Sequence, residues 1–207
     1  VEQIHGKPYE KYRLKDSIMM LKKSFNKVRR NRKAFLFLCA YFFYIDGVDT
    51  IIRMAASFGT AVGINSSTLL VILLVTQFVA FPFAIIYGKL AQIFKGKAML
   101  MAGIGVYIVI CIFAFFLKSA REFWILSILV GSAQGGIQAL SRSYFAKMIP
   151  KENSNEYFGF YNIFGKFAAI MGPFLVGIVT QITGDVRNGV LSLILIFIIG
   201  GVLLLKD

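Results

Sequence analysis

From residue 34 onward the sequence is a succession of apolar runs, and their length constrains the fold more than any other feature. A helix needs about 20 mostly apolar residues to cross the hydrocarbon layer of a bilayer. Six stretches qualify: roughly 34–57, 67–88, 98–117, 123–146, 157–182 and 189–205. The connectors are brief and polar or glycine-bearing: "GTAVGINSS", "KLAQIFKGK", "KSARE", "KMIPKENSNE" and "TGDVRNG". In lipid the backbone must satisfy its own hydrogen bonds, so these runs should be helices. Only 16% of residues are charged, against about a quarter in soluble domains. The expected class is an all-α membrane protein, with the bilayer as its surroundings.

The basic residues orient the spans. Residues 1–33 hold eleven Lys and Arg, and the loops on the same side add Lys89, Lys95, Lys97, Arg142, Lys147, Lys151 and Lys206, giving 18 of the 23. Arg53, Lys118, Arg121 and Arg187 fall on the other side, and Lys166 lies within a span. By the positive-inside rule both termini should be cytoplasmic. The net charge of +13 thus has a membrane explanation, and no nucleic-acid partner is expected. Within residues 1–33, Leu14, Ile18, Leu21, Phe25 and Val28 share one helical face and Lys15, Lys22, Lys23, Lys27 and Arg29 occupy the others. Such a helix lies along a membrane surface, or else is a plain basic flank that fixes topology. Two domains follow: a basic cytoplasmic linker, 1–33, and a transmembrane unit, 34–207. The chain opens on Val1, and we expect a piece of a longer protein.

Cys39 and Cys111 lie inside apolar runs and His5 sits in the polar tail. No disulfide framework, metal site or cofactor is expected from them. Asp46 and Asp49 stand three apart on one span, whereas an aspartyl dyad needs facing carboxylates. H-E-x-x-H and G-x-S-x-G are absent as well. An enzyme is not expected.

Polar side chains inside the spans are the candidates for function. A charge at the bilayer centre costs at least about 2.5–3.5 kcal/mol, so such residues face a cavity or a partner. Asp46, Asp49 and Arg53, at i, i+3 and i+7, share a face of the first span. Asp49 and Arg53 are spaced to pair, which leaves Asp46 without a partner on its own helix. The fourth span carries Gln134, Gln138, Ser141 and Arg142. The fifth carries Asn162 and Lys166, with Lys166 spaced either to snorkel, to meet an anionic solute, or to face Asp46. Gly172-Pro173 should bend the fifth span. Gly131 with Gly135, and Gly165 with Ala169, give small-xxx-small packing faces. Gln77 and Pro82 are weaker cavity candidates in the second span.

Adding 89 to Asp49 and Arg53 gives Gln138 and Arg142, so the first and fourth spans match in part although they run in opposite directions. That is the pattern of inverted three-helix repeats, whose sites form where the repeats meet.

These features together resemble the C-terminal half of a major facilitator superfamily transporter. More narrowly, "AYFFYIDGVDTI", "GGIQALSRSYFAKMIP" and "EYFGFYNIFGKFAAIMGP" are similar to its vacuole effluxer-like branch, over residues 34–205. The superfamily's loop motif is partly kept in "GKLAQIFKGK": Gly88 and Leu90 match, Gln92 stands where an acid is usual, and Gly96 comes one residue late.

The resemblance implies half of a secondary transporter in the cell (inner) membrane, moving a small polar solute such as an amino acid by alternating access. Its partners would be a missing N-terminal six-helix half or a second copy of the chain. Asp46 is the candidate proton-coupling group. Asp49, Arg53, Gln134, Gln138, Asn162 and Lys166 are candidate solute or ion contacts, and Arg142, Gly88 and Gln92 candidate gating residues. The plainer alternative is a six-helix packing module with no transport of its own. The transport reading requires Asp46, Gln138 and Lys166 to border a shared wet passage.

Overall fold

The computed structural model describes residues 25–26 and 28–206. It is helical throughout, and no strand occurs among the described residues. The helices are α1 (Arg32–Ala61), α2 (Ser66–Ile93), α3 (Gly96–Phe116), α4 (Ala120–Met148), α5 (Ser154–Ala168), α6 (Met171–Thr183) and α7 (Val186–Leu205), with a 3-10 turn, Lys151–Asn153, before α5. Counting α5 and α6 as one interrupted span, six among the described residues are long and apolar enough to cross a membrane.

Polar side chains set the helix starts. The Asn31 side chain accepts from the Ala34 N–H at 3.3 Å, and its amide nitrogen donates to the Met148 carbonyl at 3.3 Å. Asn65 accepts from the Thr68 N–H at 2.8 Å. Ser119 and Glu122 form a reciprocal capping box ahead of α4. Asp185 accepts from the Arg187 N–H at 2.8 Å and starts α7.

The short connections make successive helices antiparallel. We call the end where α1 begins the near end and the other the far end. The loops at 94–95 and 149–153 and Lys206 lie at the near end. The loops at 62–65, 117–119 and 184–185 lie at the far end. α1 and α4 form the centre: 56% and 50% of their apolar windows are buried, against 22% for α2 and 17% for the α5–α6 span.

Helix α1 packs most extensively on α7, and α2 on α4. Glycines set the second contact. A Cβ at Gly131 would lie 2.6 Å from the Thr76 carbonyl oxygen, and one at Gly135 would collide with the Ala80 carbonyl. Small residues at this spacing bring two backbones together in the way lipid-embedded helices favour. Exposed apolar side chains such as Leu70, Leu74, Phe78 and Phe81 on α2, and Phe174 and Ile182 on α6, suit contact with acyl chains.

The expected surface helix within residues 1–33 lies mostly outside the described residues. Of its apolar face, Phe25 and Val28 are described. Val28 is buried, and Phe25 sits 6.1 Å from Phe35 and 5.9 Å from Phe160 between ring centroids.

Candidate functional site

Asp46 lies midway along α1 and is 0% exposed. Its Oδ1 accepts a hydrogen bond from the Gly172 N–H at 2.9 Å, and its Oδ2 has no hydrogen-bond partner. One turn on, the Thr50 hydroxyl donates to the Asp46 main-chain carbonyl at 2.6 Å.

The partner comes from the interruption in the fifth span. α5 ends at Ala168, the Ile170 N–H turns back to the Ala168 carbonyl at 2.7 Å, and α6 starts at Met171. Pro173 has no N–H, so it cannot carry the α5 ladder onward. The first amides of α6 are then left without intrahelical acceptors. A helix N-terminus carries partial positive charge, and a carboxylate there is stabilised. Gly172 makes the approach possible, because a Cβ at this position would meet the Thr50 hydroxyl and lie 3.0 Å from Asp46 Oδ1.

This corrects part of the sequence expectation. Asp46 has a partner, and it is a backbone amide rather than Lys166, which is exposed on α5. Among the described residues no ion pair joins Asp49 to Arg53. Asp49 is half-buried and Arg53 exposed, near enough for the arginine's charge to act on the carboxylate without an ion pair between them.

A second polar region lies toward the near end. α1 packs against both α4 and α5. Tyr41 of α1 stacks on Tyr161 of α5 with centroids 4.2 Å apart. Phe145 of α4 lies 5.3 Å from Tyr161 and 5.6 Å from Phe37. Beneath them Tyr44 and Ser141 share a buried 2.7 Å hydrogen bond between α1 and α4. The Arg142 guanidinium sits 5.3 Å from the centre of the Phe158 ring. That contact sets the register of two exposed columns. Gln138 is one turn from Arg142 on α4, and Asn162 and Lys166 are one and two turns from Phe158 on α5. All four of these polar residues are exposed. They form a polar face over an aromatic seal.

A third feature is a cavity of about 50 Å³ in the far half, lined by α1, α2, α3, α4, α6 and α7. Its walls are mostly apolar, as at Phe58 and Leu126. Its polar groups are the uncharged Thr50, Thr76, Gln77, Ser127 and Gln134. Gln134 Oε1 is buried without a hydrogen-bond partner.

The proposed residues therefore separate into places. Gln138, Arg142, Asn162 and Lys166 share the polar face, and Gln134 and Gln77 share the cavity. Asp46 is sealed behind Thr50, so it does not border one hollow with Gln138 and Lys166. Gly88 and Gln92 are exposed near the end of α2. Sequence reasoning missed Thr50, Thr76 and Ser127, small hydroxyls inside apolar helices that make their own back-bonds or pass as packing residues. Among the described residues no group of His, Cys, Asp and Glu is arranged to hold a metal ion.

Comparison with known proteins adds to this geometry. A family model described as "Vacuole effluxer Atg22 like" matches residues 1–206. The chain is 54% identical over 207 residues to a Bacillus subtilis protein described as "Uncharacterized MFS-type transporter YxiO", covering 99% of this chain and 48% of that protein. It is 29% identical over 201 residues to Autophagy-related protein 22 of Saccharomyces cerevisiae, covering 89% of this chain and 37% of that one. A Candida glabrata protein of the same name is 37% identical over 86 residues. The chain thus spans about half the length of the bacterial relative, and less of the fungal ones. Six spans and such relatives make it a multi-pass membrane protein.

Proposed function

The chain belongs to the vacuole effluxer Atg22-like family, and from that premise we propose that it is the C-terminal half of a secondary transporter that moves a small polar solute, such as an amino acid, by alternating access. The observation that carries this reading is a carboxylate, Asp46, held wholly buried at the middle of a six-span bundle by the N-terminus of a discontinuous span. Interrupted helices at mid-membrane depth are a recurring way to build transport sites. Ionisable groups are kept at such depth where they serve an ion or solute path. Asp46 Oδ2 is free to carry a proton without breaking the Oδ1 bond to Gly172, which suits a proton-coupling role.

Gln138, Asn162 and Lys166 on the polar face are the proposed solute contacts, with Arg142 at the near end as a gating group. Gln134 offers an acceptor to solute or water in the cavity, and Asp49 and Arg53 are proposed to border the same path farther along α1. An open polar face is what one half of such a transporter turns toward the other half, so the proposed partner is an N-terminal six-helix half or a second copy. The two triplets, α1–α3 and α4–α7, are proposed to be inverted repeats. Their packing supports this: α1 on α7 is answered by α4 on α3, and α2 on α4 by the α5–α6 span on α1. Lys89, Lys95, Lys97, Arg142, Lys147, Lys151 and Lys206 toward the near end support cytoplasmic termini in a cell membrane.

The test is proton-driven solute uptake in vesicles containing the full-length protein. Asp46→Asn should abolish uptake driven by a pH gradient while leaving the amount of folded protein unchanged. Uptake and pH dependence equal to those of the parent would remove Asp46 from the mechanism.

A further inference from the structure

The fifth span is two helices with one catch between them. α5 is joined to the bundle by the Tyr41–Tyr161 stack and the Phe145 contacts near the near end. α6 packs along α7, where Gly189 lies against Val176 and Thr180, and among the described residues the side-chain hydrogen bond at its start runs from the Gly172 N–H to Asp46 Oδ1. Between them residues 169–170 form a turn without helical continuity. One turn into α6, Val176 is fully buried and forms part of the cavity wall, as does Thr50 beside Gly172. Val176 is thus the point at which the position of α6 enters the cavity wall.

We infer that Asp46 is a positioning residue for α6: its carboxylate, by accepting from Gly172, fixes the N-terminal turn of α6 independently of α5 and thereby sets the cavity wall at Val176. The physical reason is local. Pro173 removes one of the first-turn donors of α6. The N-terminal partial charge and the Gly172 amide are then the principal polar groups that must be met where no water reaches. A carboxylate meets both at once. An alanine meets neither, and an asparagine supplies an acceptor without the charge. The idea rests on geometry within this chain. Its readout is a distance rather than a flux, so a silent transport assay would overturn the function proposed above and leave this inference standing.

Paired spin labels on the full-length protein in lipid nanodiscs test it by double electron–electron resonance. The background carries Cys39→Ser, and Cys111 is buried. One pair joins exposed Phe174→Cys on α6 to exposed Ile128→Cys on α4, and a second joins exposed Phe167→Cys on α5 to the same Ile128→Cys. Asp46→Ala should shift or broaden the α6–α4 distribution and leave the α5–α4 distribution unchanged. Asp46→Asn should fall between Asp46→Ala and the parent. Gly172→Ala, whose methyl group enters the space of the Thr50 hydroxyl and the Asp46 carboxylate, should displace α6 alone with Asp46 intact. It also keeps the question decidable if Asp46→Ala does not fold. An α6–α4 distribution identical to the parent in the variants that fold, or equal displacement of α5 and α6, overturns the inference.

Discussion

Pro82 and Pro173 lie in spans of similar length, yet the backbone treats them differently. α2 runs without interruption from Ser66 to Ile93 with Pro82 inside it. The fifth span stops at Ala168 and restarts at Met171, two residues before Pro173. Pro82 removes one donor from the α2 ladder, and Pro173 removes one from the first turn of α6. The surroundings decide between them. α2 lies on a bed of small residues in α4, where Gly131 and Gly135 meet the carbonyls of Thr76 and Ala80, and close packing holds a continuous rod. Beside Pro173 stands Gly172, and opposite it a buried carboxylate offers the freed amide a better partner than another turn of helix does. A proline breaks a span where an acceptor waits for the exposed N-terminus, and bends or merely weakens it where none does.

The largest expected effect tests the packed half of this comparison. Gly135→Leu would drive a side chain into the Ala80 carbonyl and force α2 away from α4. The loss of stability should reach the upper end of about 1–3 kcal/mol, read as a lower melting temperature in detergent and a smaller yield of inserted protein. A melting temperature equal to that of the parent would show that α2 does not depend on α4 for its straightness.

Next comes the carboxylate. Asp46→Ala leaves the Gly172 amide buried without an acceptor, which costs about 1–2 kcal/mol locally. Amide exchange at Gly172 and Phe174 should then quicken roughly five- to thirtyfold, with no change around Pro82. Equal exchange in parent and variant would mean that the start of α6 is held by something other than Asp46.

The third prediction sharpens the contrast. Pro173→Ala restores one donor, worth about 0.5–1.5 kcal/mol net, yet α5 and α6 should stay separate while Asp46 still holds Gly172. In the double variant with Asp46→Ala the protected amides should run on through residues 169–172. Fusion of the two helices in Pro173→Ala alone would assign the break to the proline by itself. The smallest effect is expected of Pro82→Ala. The regained hydrogen bond, about 0.5–1.5 kcal/mol, is offset by the freer unfolded chain, about 0.4–1 kcal/mol. The melting temperature should move little, and a large rise would reveal strain in α2 that its continuous ladder conceals.

Much of the architecture was legible in the residues. Apolar runs of membrane-crossing length located all six spans, with ends displaced by a few residues because the caps Asn31, Asn65 and Ser119 lie outside the apolar windows. The spacing of Gly131 and Gly135 announced a close helix contact, and Gly172-Pro173 announced a bend where the structure has a break. Asp46 stood out as a charge that its own helix leaves unmatched. The identity of its partner was not legible, since a backbone amide has no letter in the sequence. Lys166 looked like a counter-ion from charge alone, but a side chain ten or more residues into a span can turn outward, and this one does.

The division follows from the range of the forces. Hydrophobicity, helix capping and the missing proline amide act within a few residues, so the sequence by itself determined six helices, their alternating direction and a weak point in the fifth. Which helix lies beside which depends on packing between residues from about 55 to more than a hundred positions apart. Tertiary structure alone brought Asp46 and Gly172 together across 126 residues, placed Gln134 in a cavity with Thr50 and Ser127, and set Gln138, Asn162 and Lys166 on a face apart from both.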